Sequence, residues 1–291
     1  MFIVMGAHGH VGSEVVKELL ELGQPVTAVT HSEERAKQWR TAGWSVALAD
    51  VTSPQSLRSA FKSGTRAFIL NPPAPVDGDT DRVERHTVAC ILEALDGSGL
   101  EKVVVQSTGG ARPGERLGDL NVLWELEQGL SRLPIPAAIN RAGFYMSNWD
   151  AQLEHVRQAG ELVSMFPADL RLPMAAPRDL GRAAVQRLLS STQDASIQYV
   201  EGPARYSAND VARAFGQALQ REVHVVVIPR TEWVATYRQQ GFSEAAAQSY
   251  ARMTAVAMDE LDIPDDSLRG EVTLEAYISE LVQKAERQSG S

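Results

Sequence analysis

The chain has 291 residues, 44% of them hydrophobic, and a formal net charge of −9 spread without blocks of like sign. That length and apolar content bury a large core, in one large domain or two of ordinary size. The dispersed acidic balance argues against nucleic acid, whose phosphates call for a concentrated basic face.

One cysteine, Cys90, excludes an internal disulfide framework and every multi-cysteine metal site. It sits on the apolar side of a helix-like run and reads as a buried structural thiol. The histidines show neither His-x-x-x-His nor His-x-x-Glu-His spacing, so no metal is expected. No stretch approaches about 18 apolar residues, which excludes a membrane-spanning helix. The first apolar run has no basic segment before it and meets Gly6 too early for a signal peptide, leaving the cytoplasm as the expected location.

In chain order, Met1 to Met5 is an apolar run of strand length, and Gly6-Ala-His8-Gly9-His10-Val11-Gly12 follows it. A helical pattern (Val11, Val15, Val16, Leu19, Leu20) begins inside the glycine segment, so the stretch reads as strand, tight turn, helix. The three glycines then serve different ends. Gly6 makes the turn, Gly9 lets the backbone approach a diphosphate, and Gly12 lets the helix pack on the strand. The free N–H groups and dipole of the helix start favour an anion there. A purely structural turn is the competing reading, because the spacing is Gly-x-x-Gly-x-x-Gly rather than Gly-x-Gly-x-x-Gly. The strand–turn–helix context favours nucleotide binding. His8 and His10 face the diphosphate or simply fill the surface; the spacing leaves both open.

Strand two is expected at 25–30, a polar helix at 32–40, strand three at 44–48 closing on Ala49-Asp50, and a capped helix at 55–62. Arg66 to Leu70 is a fourth strand running into Asn71-Pro72-Pro73, where two prolines force the chain to turn. A helix at 79–95, a strand at 102–106 ending in Ser107-Thr108, a helix at 120–130 and a strand at 135–140 complete the alternation. The strands are continuous apolar runs, as burial of a parallel sheet on both faces requires. The fold class is therefore α/β, a doubly wound parallel Rossmann sheet of order 3-2-1-4-5-6, with a smaller, mostly helical C-terminal domain. Residues 1–147 form the dinucleotide-binding domain, to which 177–201 return with a seventh strand at 197–200. Residues 148–176 and 202–291 form the substrate or lid domain, with helices at 207–219, 231–239, 243–261 and 273–287 and a strand at 223–228. Residues 288–291 are expected to be disordered.

Ligands of such a sheet lie beyond the carboxyl ends of its strands. The residues that fall there are Gly6 to Gly12, Thr30-His31-Ser32, Asp50-Val51, Asn71-Pro72-Pro73 and Ser107-Thr108. Strand two ends without the carboxylate that bonds a ribose 2′-hydroxyl in NAD sites, which favours NADP while leaving NAD possible. Thr30, His31, Ser32 and Arg35 are the expected 2′-phosphate contacts, Glu33 and Glu34 charge the helix start, and Asp50 bonds the adenine amino group. Asn71 to Pro73 line the ribose and nicotinamide side, with Ser107 and Thr108 bonding the ribose or an acceptor oxygen.

Further segments are Trp124-Glu-Leu-Glu127-Gln, Asn140-Arg-Ala-Gly-Phe-Tyr-Met-x-Asn148, Pro177-Arg-Asp179-Leu-Gly181-Arg and Thr273-Leu-Glu-Ala-Tyr277. With the glycine turn and Ala49-Asp50, they make the chain resemble, over nearly its whole length, the NmrA-like branch of the atypical short-chain dehydrogenases/reductases. The resemblance implies NAD(P)H on the large domain and a substrate or effector cleft beneath the small one. It also implies one of two functions: reduction of quinones and other small conjugated molecules, or catalytically silent cofactor sensing that regulates transcription through a protein partner. Active relatives often carry a lysine where Leu123 stands, and many carry arginine where Thr30 stands.

No tyrosine here has a lysine four residues on, the pair that lowers a proton donor's pKa in ordinary dehydrogenases of this kind. Tyr145, just past strand six, is the expected proton donor, against the plainer reading of a packing aromatic at the domain junction. Asp179 reads as a helix N-cap. The leading expectation is an NAD(P)H-dependent oxidoreductase acting on a small hydrophobic carbonyl, quinone or conjugated compound, ahead of the silent sensor and of a weaker isomerase or dehydratase reading. Substrate, direction and oligomeric state are open at this stage.

Overall fold

The computed structural model describes residues 1–260 and 264–289. Its first half runs β1 (Phe2–Val4), α1 (His10–Glu21), β2 (Val26–Thr30), α2 (Glu33–Thr41), β3 (Ser45–Leu48), α3 (Pro54–Phe61), β4 (Arg66–Ile69), α4 (Thr80–Leu95), β5 (Lys102–Thr108), α5 (Asp119–Leu130) and β6 (Ala137–Ala142). The second half opens with β7 (Phe144–Tyr145), a 3-10 segment (Met146–Gln152), α6 (Leu153–Ala159), β8 (Glu161–Ser164), β9 (Leu172–Ala175), α7 (Pro177–Leu189) and β10 (Ile197–Glu201). It continues through β11 (Arg205–Tyr206), α8 (Ala208–Leu219), β12 (His224–Val227), a 3-10 turn (Arg230–Glu232), α9 (Trp233–Gln239), α10 (Glu244–Asp259), β13 (Leu268–Arg269) and α11 (Leu274–Ser289).

Eight strands form one sheet in the order β13-β10-β6-β5-β4-β1-β2-β3, and each paired neighbour is parallel. The expected 3-2-1-4-5-6 order is present within it, and β10 and β13 extend the β6 edge. β13 spans two residues, too few to leave a period in the sequence. The apolar runs explain the layering: Ile3, Val4 and Val103 to Val105 are fully buried because helices cover both faces. On one face α1 and α7 pack Val15, Leu19, Leu180 and Leu188 against the strands. On the other, α3, α4 and α5 supply Leu57, Ile91 and Leu126. Cys90 is buried, as its position in α4 predicts.

A third core gathers Met146, Leu153, Leu162, Phe166, Met174, Phe215 and Ile278 above the carboxyl edge of the sheet. This region is less purely helical than expected. It holds a three-stranded sheet, β11-β9-β7, and a parallel pair, β12-β8. The segment 171–189 divides at Pro177, two residues before the expected helix head at Asp179. A residue before proline is pushed to extended backbone, and proline fits the first helical turn, so β9 ends and α7 begins there. Asp179 is accordingly not the N-cap, which is Ala176; it lies in the first turn, and its Oδ2 accepts the Val272 N–H at 2.9 Å. The chain end also differs from expectation: α11 carries Gln288 and Ser289, while residues 290 and 291, and Leu261 at the expected end of α10, lie outside the described residues. Among the described residues no helix is long and apolar enough to cross a membrane.

Candidate functional site at the carboxyl edge of the sheet

The glycine turn closes on a backbone bond, Gly9 N–H to Gly6 O at 2.8 Å, with Gly6 at φ +63°. Only glycine fits at position 12, where an added Cβ would fall 2.1 Å from the Gly6 carbonyl oxygen. Gly9 differs: its Cβ would meet nothing in the protein closer than 3.4 Å, so internal packing does not demand a glycine there. The open side is the approach to the helix start. α1 begins at His10 with Gly9 as its cap residue and no side chain capping it, which leaves first-turn amides directed out of the helix end. A diphosphate fits this cradle of exposed N–H groups, positive dipole end and absent side chain.

The residues expected to meet the adenosine end stand around one point. Thr30 is buried, and its Oγ1 accepts the Ser32 N–H at 3.2 Å. The Ser32 hydroxyl caps α2 by accepting the Arg35 N–H. Burial lowers the His8 pKa, and the Arg35 and His31 charges lower it further. Asp50 faces the same group from beyond β3. Its Oδ1 accepts from both the amide and the hydroxyl of Thr52 at 2.8 Å, bonds that hold its carboxyl below the usual range with help from His31. Val51 packs beneath on the core.

Asn71 is buried and turned inward: its Oδ1 accepts the Thr87 hydroxyl at 2.6 Å. It fixes the 71–78 loop to α4, so what this loop offers a ligand is the backbone at Pro72 and Pro73. Ser107 is also committed to the framework. Its hydroxyl donates to Glu127 Oε1, and Arg141 grips both Glu127 oxygens while donating to the Tyr199 hydroxyl at 2.9 Å. The Ser107 hydroxyl thereby spends its proton on tying β5 to α5, which leaves only its lone pairs for the expected ribose or acceptor contact. Thr108 ends β5 half-buried. Leu123 packs against the core on the α5 face.

His10, the first residue of α1, lies 3.9 Å from Asp150, whose carboxylate accepts the Tyr277 hydroxyl at 2.8 Å. This chain links the helix start, the 3-10 segment and α11.

Tyr145 is half-buried at the end of β7, its hydroxyl beside the Gln106 amide; burial and the Asp119 charge push its pKa up. A tyrosine so placed, without a cation beside it, is a poor phenolate and a reluctant proton donor. Three titratable groups of α4, α5 and α10 were not anticipated from the sequence. Asp119 opens α5, Glu84 stands on α4, and Tyr250 on α10. The Asp119 charge contributes to raising the pKa of Tyr145, Tyr250 and Glu84 alike. An acidic residue in a first helical turn ordinarily reads as dipole complement, so the pattern held no stronger signal.

Glu84 is 2% exposed, its Oε1 accepts the Ala74 N–H at 2.9 Å, and desolvation first, then Asp119, raises its pKa from 4.5 to about 7. Between those two values the folded state keeps a proton that the unfolded chain has released, so stability falls as pH rises through the window. Glu84→Gln is therefore expected to raise the melting temperature at pH 8 by several degrees, an effect of about 3 kcal/mol at most. The gain should vanish near pH 4. A melting temperature equal to the parent's at both pH values counts against this reading.

An open parallel sheet of this order, with a glycine turn after its first strand and the candidate residues gathered at its carboxyl edge, defines a Rossmann-type α/β protein. The chain belongs to the NmrA-like family, whose model matches residues 1–278. It is 26% identical to the NAD(P)H azoreductase of Xenophilus azovorans over 270 residues, covering 93% of this chain and 90% of that one. It is 27% identical to the nitrogen metabolite regulation-like protein bik4 of Gibberella fujikuroi, over 94% of this chain and 90% of that one. The triphenylmethane reductase of Citrobacter sp., solved with NADP(H), superimposes with a TM-score of 0.79 at 18% identity, over 96% of this chain and 99% of that one. At that identity the likeness speaks for the fold.

Proposed function

We propose that the chain binds NADP(H) in preference to NAD(H) and uses it to reduce a small conjugated acceptor. The observation that carries the reading is the glycine cradle: Gly9 is free of any internal packing demand and faces an uncapped helix start. When bound, the dinucleotide supplies a hydride. The amides of His10, Val11 and Gly12 hold the diphosphate, Asp50 and Val51 meet the adenine, and Thr30, His31, Ser32 and Arg35, with His8 alongside, meet the 2′-phosphate. Pro72, Pro73 and Thr108 border the nicotinamide, and Tyr145 and the cleft around it hold the acceptor and exclude water. The division into a nucleotide domain, 1–147 with 177–201, and a covering domain, 148–176 with 202–291, is part of the same proposal, supported by the separate third core. The azoreductase relative agrees with the chemistry.

Mixing the protein and NADPH with quinones, enones and azo compounds tests it: oxidation faster than the solution background is expected, and none across the panel overturns it. Arg35→Ala is expected to weaken NADPH about tenfold and NADH much less, since a charge-assisted bond to phosphate is lost. Calorimetry with both nucleotides reads the difference, and equal weakening would remove Arg35 from the 2′-phosphate.

A second reading, a cofactor sensor without turnover acting through a protein partner, is favoured by two observations. Leu123 sits where relatives carry lysine, and the Ser107 hydroxyl is spent on Glu127. A sensor should bind NADP and NADPH with different affinities and retain a partner in a pull-down.

A further inference from the structure

Asn71-Pro72-Pro73 leaves the sheet at the carboxyl end of β4, and neither proline has an N–H to give to a strand or a helix. The first backbone donor beyond them is the Ala74 amide, and it points inward: Glu84 Oε1 on α4 accepts it at 2.9 Å. The Glu84 carbonyl oxygen accepts the Thr87 hydroxyl at 2.8 Å, and that hydroxyl also meets Asn71 Oδ1 at 2.6 Å. Asn71 Nδ2 reaches the same carbonyl at 3.5 Å. One turn of α4 therefore holds both ends of the segment from Asn71 to Ala74. The outer part of the loop hangs on another helix, where the Ser243 N–H and hydroxyl at the start of α10 donate to the backbone oxygens of Val76 and Gly78 at 2.8 and 2.6 Å.

A buried acid is a costly choice of anchor. Asn71, Ala74, Glu84 and Thr87 are all buried, and among the described residues no lysine or arginine pairs with the Glu84 carboxyl. The charged and titratable groups about it bring no countercharge. Asp81 of α4 is itself drawn to Arg85 at 3.1 Å, Asp119 of α5 is acidic, and Tyr250 of α10 is a neutral phenol. Filling the space alone would be done as well by leucine. What the carboxyl adds is a fixed place for Ala74, and Pro73, the residue before it, is exposed. The anchor thus stands directly behind the surface that the loop presents outward. Sequences break the rule against unpaired buried acids chiefly where function asks for it.

Resting on the NADP(H) reading above, we propose that Glu84 is a positioning residue for the nicotinamide half of the dinucleotide: by holding the Ala74 amide from behind, its carboxyl fixes the Pro72-Pro73 wall against which the ring lies. Glu84 itself touches neither cofactor nor acceptor. A wall set at one depth selects the ring orientation from which hydride leaves, and a misplacement of about 1 Å can cost about a hundredfold in rate. The adenosine contacts proposed above, Thr30, His31, Ser32, Arg35 and Asp50, come from other elements, so loss of the anchor separates the two halves of the ligand. Glutamine at position 84 keeps an oxygen for Ala74 and carries no charge. Aspartate, one methylene shorter, withdraws the oxygen, and alanine leaves the Ala74 N–H unpaired.

The test measures two ligands by calorimetry, NADP and adenosine 2′,5′-bisphosphate, which lacks the nicotinamide half, on the full-length protein, Glu84→Gln, Glu84→Asp and Glu84→Ala. It is run at pH 6, where a carboxyl with its pKa raised to about 7 is mostly protonated and glutamine imitates it. Glu84→Asp and Glu84→Ala are expected to weaken NADP about fivefold and to leave the bisphosphate within about twofold of the parent. With NADPH saturating, kcat for a quinone or azo acceptor should fall about tenfold while the acceptor's KM changes little, and Glu84→Gln should restore both the binding and the rate. Equal weakening of the two ligands overturns the proposal, because it marks damage to the whole site, and so does parent-like NADP binding in Glu84→Asp, which keeps the acid, removes only its reach and carries the test if alanine does not fold. Glu84→Gln as impaired as Glu84→Ala overturns it too, since the acceptor oxygen is then not what holds the wall. A parent that binds neither ligand removes the NADP(H) reading and the proposal with it. The split in binding without turnover of any acceptor supports the wall and overturns the reductase reading alone.

Discussion

Glu127→Ala is expected to destabilise the protein by about 3–5 kcal/mol, the usual result of stripping one partner from a buried ion pair. Glu127 and Arg141 are 2% and 14% exposed, and the guanidinium holds the carboxylate at both oxygens. Removing Glu127 strands the Arg141 charge and leaves the Ser107 hydroxyl without its acceptor, so two desolvation costs add. Chemical denaturation should show the loss as a lower midpoint. Replacing both residues by apolar ones, Glu127→Leu with Arg141→Met, should recover much of it, because the penalty belongs to the unpaired charge more than to the absent bond. A double variant as unstable as the single one would show that shape, and not charge, governs the site.

Gly12→Ala and Gly9→Ala should separate folding from binding within the one glycine turn. At position 12 the new methyl collides with the Gly6 carbonyl oxygen at 2.1 Å, backbone that has nowhere to go while Gly6 O accepts from Gly9. A cost of about 3 kcal/mol and loss of nucleotide binding are expected together. At position 9 the backbone is extended at φ −82°, which alanine adopts freely, and the methyl meets only the 3.4 Å contact. Its melting temperature should stay within about a degree of the parent, since no mechanism for a large loss is present. NADPH affinity should nonetheless fall tenfold or more as the methyl enters the space of the diphosphate. If calorimetry gives Gly9→Ala the parent's affinity, the anion lies elsewhere.

The sheet was legible because its strands are buried on both faces and so written as unbroken apolar runs, and because glycine and proline mark the turns between them. The same rule failed for β13 and β7, whose two residues apiece hold no period, and for β9, a four-residue strand interrupted by Pro173. At the candidate site, what the backbone does was readable and what the side chains do was not. Gly12 is demanded by a contact with Gly6 and Ala7, close by in sequence. Ser107 and Asn71, by contrast, face inward because of partners 20 and 16 residues distant, Glu127 and Thr87, which local pattern does not encode.

The region above the sheet is joined to it repeatedly. The chain rises after β6, comes back at α7, rises again after β10 and comes back at β13 before α11. A body tethered at so many points has no single hinge about which to swing. The entropy of fixing this body on the sheet is therefore lost during folding, and a ligand that binds between the two does not have to supply it at each encounter.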